Sequence, residues 1–182
     1  LDLTRLLPGP VATLHLAYLG AEVIKIEDPQ VGDYARTLCT GQGEDSAYFR
    51  MINRNKQGLL LDLKKPEGVE VFLRLARNAD AIVESFRPGV VDKLGIGYAA
   101  VAAINPRIAY CSISGYGQNG PYRDLAGHDI NYLGYAGVLD QIGVEGGQPA
   151  IPNFQIADLL GGGLTAVMGI LATVLEAQRS GV

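Results

Sequence analysis

Short apolar runs rich in β-branched residues alternate along this chain with segments whose apolar positions recur at helical spacing, and that alternation restricts the fold more than any other feature. A chain of this kind stacks βαβ units into an α/β fold, an open and mostly parallel Rossmann-like sheet with helices on both faces. Leu1-Asp2-Leu3-Thr4 reads as the last part of one strand and residues 21–27, around Val23-Ile24-Lys25-Ile26, as a second. Residues 58–63, 79–85 and 107–114 read as the third, fourth and fifth. Pro10 sits near the start of a first helix that runs to about Leu19 and stops at Gly20. Lys65-Pro66-Glu67-Gly68 leads a second helix to about Asn78, with Val69, Phe72, Leu73, Leu75 and Ala76 on one face, and helical turns fill residues 90–104. Residues 28–57 are polar and aperiodic, too long for an ordinary connection, and are read as functional or extended over the surface.

With 182 residues, of which 48% are hydrophobic and 19% charged, the chain has the makings of one folded unit spanning residues 1–182. A net charge of -4 and a pI near 5.1, with no Lys/Arg stripe, argue against a nucleic-acid partner and for a small-molecule ligand. Cys39 and Cys111 belong to no CxxC pattern, so neither a disulfide framework nor a metal site is expected, and a reducing, cytoplasmic setting fits. The opening Leu1 and the ending Gly181-Val182, straight after an apparent helix, suggest part of a longer polypeptide. The uncharged run 159–175, interrupted by Gly161-Gly162-Gly163, is expected to be a buried core or interface helix and not a membrane span.

The chemistry concentrates between Gly127 and Gly163. His128, in Gly127-His128-Asp129-Ile130-Asn131-Tyr132, and Asp158, in Ile156-Ala157-Asp158-Leu159-Leu160, lie thirty residues apart, each at the start of an apolar segment. Local chemistry leaves His128 open between a catalytic and a structural role, with Asp129 placed to orient it. Asp158 is expected to cap its own helix, act chemically, or both, with the helix N-terminus lowering its pKa. His15, between Leu14 and Leu16, is expected to pack. Gly115-Tyr116-Gly117-Gln118-Asn119-Gly120 fits G-x-G-x-x-G but continues as a turn and follows the fifth strand, so a nicotinamide or flavin site is not expected. Arg87 at a strand end suits a phosphate or a surface ion pair equally, and Lys64, Lys65 and Lys93 add slightly to the case for an anionic ligand. Ser112 and Ser114 lack a nucleophile-elbow context.

Several of these stretches, taken together and in order, resemble the family III CoA-transferases (CaiB/BaiF), and within them most closely the α-methylacyl-CoA racemases. They are Leu6-Leu7-Pro8-Gly9-Pro10, residues 19–27, Leu61-Asp62-Leu63-Lys64, Phe86-Arg87-Pro88-Gly89, residues 114–121, residues 127–132, and Ala157-Asp158 with its glycines. The resemblance implies a large domain that binds coenzyme A, a smaller second domain and a return segment beyond residue 182, and two chains interlocked as a homodimer. It places Leu61 and Lys64 near the adenine, Arg87 and Lys93 near the phosphates, and Gly115, Tyr116 and Gly117 along the pantetheine arm. It implies an acyl-CoA substrate on which His128 and Asp158 exchange a proton at the α-carbon. The alternative is that Asp158 attacks the acyl group as a transferase nucleophile, and a third reading is a CoA-binding or dimerising fragment without activity. Three departures from the family pattern stand out. Phe154 occupies the position of an asparagine, with Asn153 one residue off; Asp28 replaces an arginine; and a supporting glutamate would fall after Val182.

Overall fold

The computed structural model describes residues 1–38 and 46–181; Cys39 lies outside the described residues. Four short parallel strands and seven α-helices were assigned among them. Strand β1 (Val23–Glu27) pairs with β2 (Lys56–Leu60), and β3 (Ala81–Glu84) pairs with β4 (Ala109–Ser112), both in parallel. The 1–4 segment joins the two pairs: Asp2 bridges Lys25 on one side and Val83 on the other, in parallel. Asp2 N–H donates to Ile24 O at 2.9 Å and Leu3 N–H to Val83 O at 2.8 Å. Counting this segment as the first strand, the spatial order is third, second, first, fourth, fifth. The order reverses between the first and fourth strands, the topological switch point where open α/β sheets bind ligands.

Strand periodicity assigns the two faces. Leu3, Ile26 and Ile82 point to a core shared with helix α3 (Pro66–Ala76), α4 (Val90–Lys93) and α5 (Tyr98–Ala102), through Phe72, Ala76, Val91 and Val101. Val83 points the other way, to Ala12 and Leu16 of α1 (Pro8–Tyr18) and to Ala166, Val167 and Ile170 of α7 (Thr165–Ser180). Helices therefore cover both faces, as expected. Helix α1 has proline in its first turn, where missing N–H groups cost nothing, and it ends before Gly20, whose φ of +99° favours glycine.

Several boundaries differ from the sequence reading. The third strand starts at Lys56 and ends at Leu60, two to three residues earlier than expected, because Lys56 is drawn inward to an ion pair described below. The 28–57 stretch is not structureless: it carries a 3₁₀ turn (Tyr34–Thr37) and α2 (Ala47–Ile52). Both start on side-chain caps, Asp33 accepting from Ala35 N–H and Ser46 from Phe49 N–H. His15 is exposed instead of packed, since its neighbours Leu14 and Leu16 take the inward positions. Residues 157–180 form one continuous helical run, long and apolar enough to cross a membrane by length and composition. One of its faces buries Ala166, Val167, Ile170 and Ala177 while Met168, Leu171 and Leu175 are exposed.

Candidate active site

On the α1 side of the sheet, where an apolar strand face was expected, lies a buried polar floor. Asp2 is fully buried and accepts from the hydroxyls of Thr4 at 2.5 Å and Thr13 at 2.6 Å and from Lys56 Nζ at 3.0 Å. Lys56 Nζ also donates to Pro10 O at 2.8 Å. Lys25, 2% exposed in the middle of β1, donates to Thr4 O at 2.8 Å and pairs with Asp33 at 2.9 Å. Asp33 Oδ1 in turn accepts from the backbone N–H of Leu6 at 3.0 Å, a residue held at φ +64°. The loop joining the 1–4 segment to α1 is thus gripped at Leu6, and held at both ends through Thr4 and Pro10, by charged groups that have no water to compete with them.

The first turn of α1 rests on a π-helix, Ala157–Leu164, that leads directly into α7. Wide π turns of this kind occur often at functional sites. Its glycines permit the approach: a Cβ on Gly162 would stand 2.9 Å from Pro8 Cβ, and one on Gly163 would stand 3.3 Å from Pro8 O. Asp158 is the second residue of this helix and is half-buried. Contrary to expectation it does not cap its own helix, because Ile156 already precedes it in helical conformation. Its backbone N–H donates to Asp129 Oδ1 at 2.9 Å.

Asp129 opens α6 (Asp129–Tyr135), with His128 at the N-cap. The His128 N–H donates to Asn131 Oδ1 at 2.9 Å. Tyr132 donates its hydroxyl to Gly127 O at 2.6 Å and packs edge-on against Tyr116, ring centres 5.3 Å apart. A side chain at Gly115 would collide with the Tyr132 hydroxyl, so the loop after β4 and the start of α6 fit only with glycine there. Tyr122 and Tyr135 complete the cluster around Tyr116.

Burial pushes the Asp158 carboxyl above its ordinary pKa, the charge of Asp129 adds to the rise, and His128 opposes it. The sequence reading expected the helix start to lower this pKa; lost hydration and the like charge of Asp129 instead raise it. Tyr48, on α2, and Tyr132 are raised by burial and then by the charge of Asp158. His128, Asp129, Tyr132 and Tyr48 thus all belong to the electrostatic surroundings of one carboxylate.

The residues expected to hold coenzyme A lie at the C-terminal edge of the sheet. Leu61 follows β2, gives its N–H to Glu27 O at 2.9 Å and is half-buried. Lys64 is exposed and pairs with Asp28 at 3.1 Å, so the residue replacing the family arginine is the partner of an expected ligand lysine. Arg87 follows β3 and Lys93 ends α4, both exposed. Gly115, Tyr116 and Gly117 follow β4, Gly117 with φ +86°, and turns instead of a helix come next. A cleft of about 420 Å³ runs between β4 and the π-helix with α7, lined by Ser112, Ser114, Gly161, Gly162, Thr165 and Gly169. Asp158 and His128 are not among its lining residues. Among the described residues no cluster of three or more His, Cys, Asp or Glu is placed to hold a metal ion.

Sequence reasoning missed Asp2, Lys25, Asp33, Lys56 and Tyr48. Asp2 and Lys25 carried a signal, each a lone charge in an otherwise apolar strand that needed a buried partner.

The chain is similar in sequence and fold to known proteins. Succinyl-CoA:glutarate CoA-transferase of Homo sapiens is 41% identical over 182 residues, covering 100% of this chain and 41% of the relative. Alpha-methylacyl-CoA racemase of Homo sapiens is 39% identical over 180 residues, covering 99% of this chain and 44% of the relative. A crystal structure of a CAIB/BAIF family protein from Brucella suis superposes with a TM-score of 0.91 at 37% identity, over 98% of this chain and 48% of that one. The chain spans less than half the length of these relatives. The family profile described as CoA-transferase family III matches residues 1–182, and the chain belongs to that family.

Proposed function

We propose that the protein carrying this chain is an acyl-CoA racemase or epimerase that moves a proton at the α-carbon of a 2-methylacyl-CoA. The observation that supports this reading is that His128 lies close enough for its charge to bear on the Asp158 carboxyl, so that two different titratable groups from segments thirty residues apart share one neighbourhood. A nucleophilic mechanism needs one such group, whereas a 1,1-proton transfer needs two, one on each face of the carbon. In one direction neutral His128 takes the α-proton, the thioester becomes an enolate, and protonated Asp158 returns a proton to the opposite face. In the other direction ionised Asp158 is the base and imidazolium the acid. A raised carboxyl pKa suits both halves, since it makes the ionised form a stronger base and populates the acid form nearer neutrality.

Coenzyme A would lie across the strand ends, with Leu61 and Lys64 toward the adenine, Arg87 and Lys93 toward the phosphates and Gly115, Tyr116 and Gly117 along the pantetheine. Lys64 must exchange Asp28 for the ligand to contribute. In this reading the working molecule is cytoplasmic and a homodimer, and the exposed apolar residues of α7 support the dimer.

The names of the glutarate transferases favour a second reading, in which Asp158 attacks the acyl carbonyl to form an acyl-enzyme. Incubating the complete protein with a 2-methylacyl-CoA in heavy water separates the two. Deuterium appearing at the α-carbon without acyl exchange is the expected outcome. Acyl exchange onto added glutarate, with no deuterium at the α-carbon, refutes the racemase and supports the transferase.

A further inference from the structure

Asp129 sits where the two halves of the site meet. Its backbone begins α6 directly after His128, and its carboxylate accepts the backbone N–H of Asp158. The first N–H groups of a helix have no partner within it and need an outside acceptor. At the π-helix that acceptor comes from another helix, because Ile156 at the N-cap offers no side-chain bond. A carboxylate acceptor is about twice as strong as a neutral one. The other polar side chains in the first turn of α6 are committed elsewhere, Asn131 to His128 N–H and Tyr132 to Gly127 O. The bond that Asp129 accepts comes from Asp158.

We infer that Asp129 is a positioning residue that holds the backbone of Asp158 and thereby fixes its separation from His128. The inference rests on Asp158 being the reacting carboxylate, and it holds whether a proton or an acyl group is moved. The charge of Asp129 also faces Asp158 and favours its protonated form, after burial and against His128. Tyr132 on α6 and Tyr48 on α2 are the other titratable groups coupled to Asp158. The first turn of α1, residues 8–11, brings no charge to it.

In the complete protein, Asp129→Ala removes acceptor and charge together, whereas Asp129→Asn removes the charge and keeps an acceptor oxygen. Asp129→Ala is expected to lower kcat by roughly 10- to 100-fold with far less change in KM, the penalty for misplacing a reacting group. Asp129→Asn is expected to recover about tenfold of that loss, and to move the acid limb of the pH–rate profile to lower pH as the like charge is lost. Equal losses in the two variants, or an acid limb that stays in place, overturn the inference. Titration of Asp158 followed by carboxyl carbon-13 NMR in Asp129→Asn reads the same displacement without turnover. A protein that fails as a racemase still decides the role of Asp129 through the Asp158 amide proton: loss of its hydrogen-bonded NMR shift in Asp129→Ala, kept in Asp129→Asn, supports the role, and an unchanged shift in Asp129→Ala refutes it.

Discussion

The two sides of the central strands solve the burial problem differently. On the α3 side Leu3, Ile26 and Ile82 meet Phe72, Ala76 and Val101 in an apolar core, held by area removed from water and close packing. On the α1 side the same strands present Asp2 and Lys25, which with Lys56, Asp33, Thr4 and Thr13 form a dry ionic layer. Replacing such a layer with apolar residues is often neutral or stabilising, so stability is a weak reason for it to exist. What it supplies instead is placement. It fixes Thr4 and Leu6 ahead of α1 and Pro10 in its first turn, the turn against which the π-helix carrying Asp158 packs.

The largest test of this contrast breaks each side once. Asp2→Ala strands Lys56 and weakens the field on Lys25, and is expected to cost about 3–5 kcal/mol; Phe72→Ala on the apolar side is expected to cost a similar ~3–5 kcal/mol. Acid separates them. Burial alone would raise the Asp2 carboxyl, but the ammonium groups of Lys25 and Lys56 and the two threonine hydroxyls outweigh it and hold it below its ordinary 3.8. A depressed carboxyl stabilises the fold above its unfolded value and loses that contribution as pH falls through the folded one. Chemical denaturation should therefore show the Asp2→Ala deficit shrinking as pH drops below 3.8, while the Phe72→Ala deficit stays level. A pH-independent Asp2→Ala deficit would break the distinction.

A smaller effect sharpens it where the floor meets the site. Gly162→Ala sets a methyl 2.9 Å from the rigid Pro8 ring, whereas Gly161→Ala meets nothing within 4 Å. The first should lose about 1 kcal/mol net, overpacking exceeding the gain in helix propensity, and the second should gain up to about 1 kcal/mol. Thermal unfolding of the pair reads the difference, and equal behaviour would show that α1 does not lean on the π-helix.

Much of the architecture was legible in residue order. Short apolar runs marked the strands and helical spacing marked α3, Pro10 and Gly20 punctuated α1, and Leu1 to Thr4 read as a strand end and pairs as one. The polar floor was not legible, because its members come from five separate places, the 1–4 segment, α1, β1, the turn at Asp33 and β2, and only the fold makes them neighbours. Residues 28–57 looked aperiodic because the elements there are single turns, started by Asp33 and Ser46 caps too local to leave a period. At the site, Asp158 and His128 stood out as titratable groups in apolar settings. Yet the sequence could not show that Asp129, next to His128 in the chain, gives its bond to Asp158.

The most direct test of a two-residue proton transfer is α-deuterium uptake from heavy water, measured separately on each epimer of a 2-methylacyl-CoA with the complete protein. His128→Ala is expected to stop racemisation while leaving uptake from the epimer served by Asp158, and Asp158→Asn to leave uptake only from the other. Loss of uptake from both epimers in Asp158→Asn, with both kept in His128→Ala, would contradict the account and leave Asp158 acting alone.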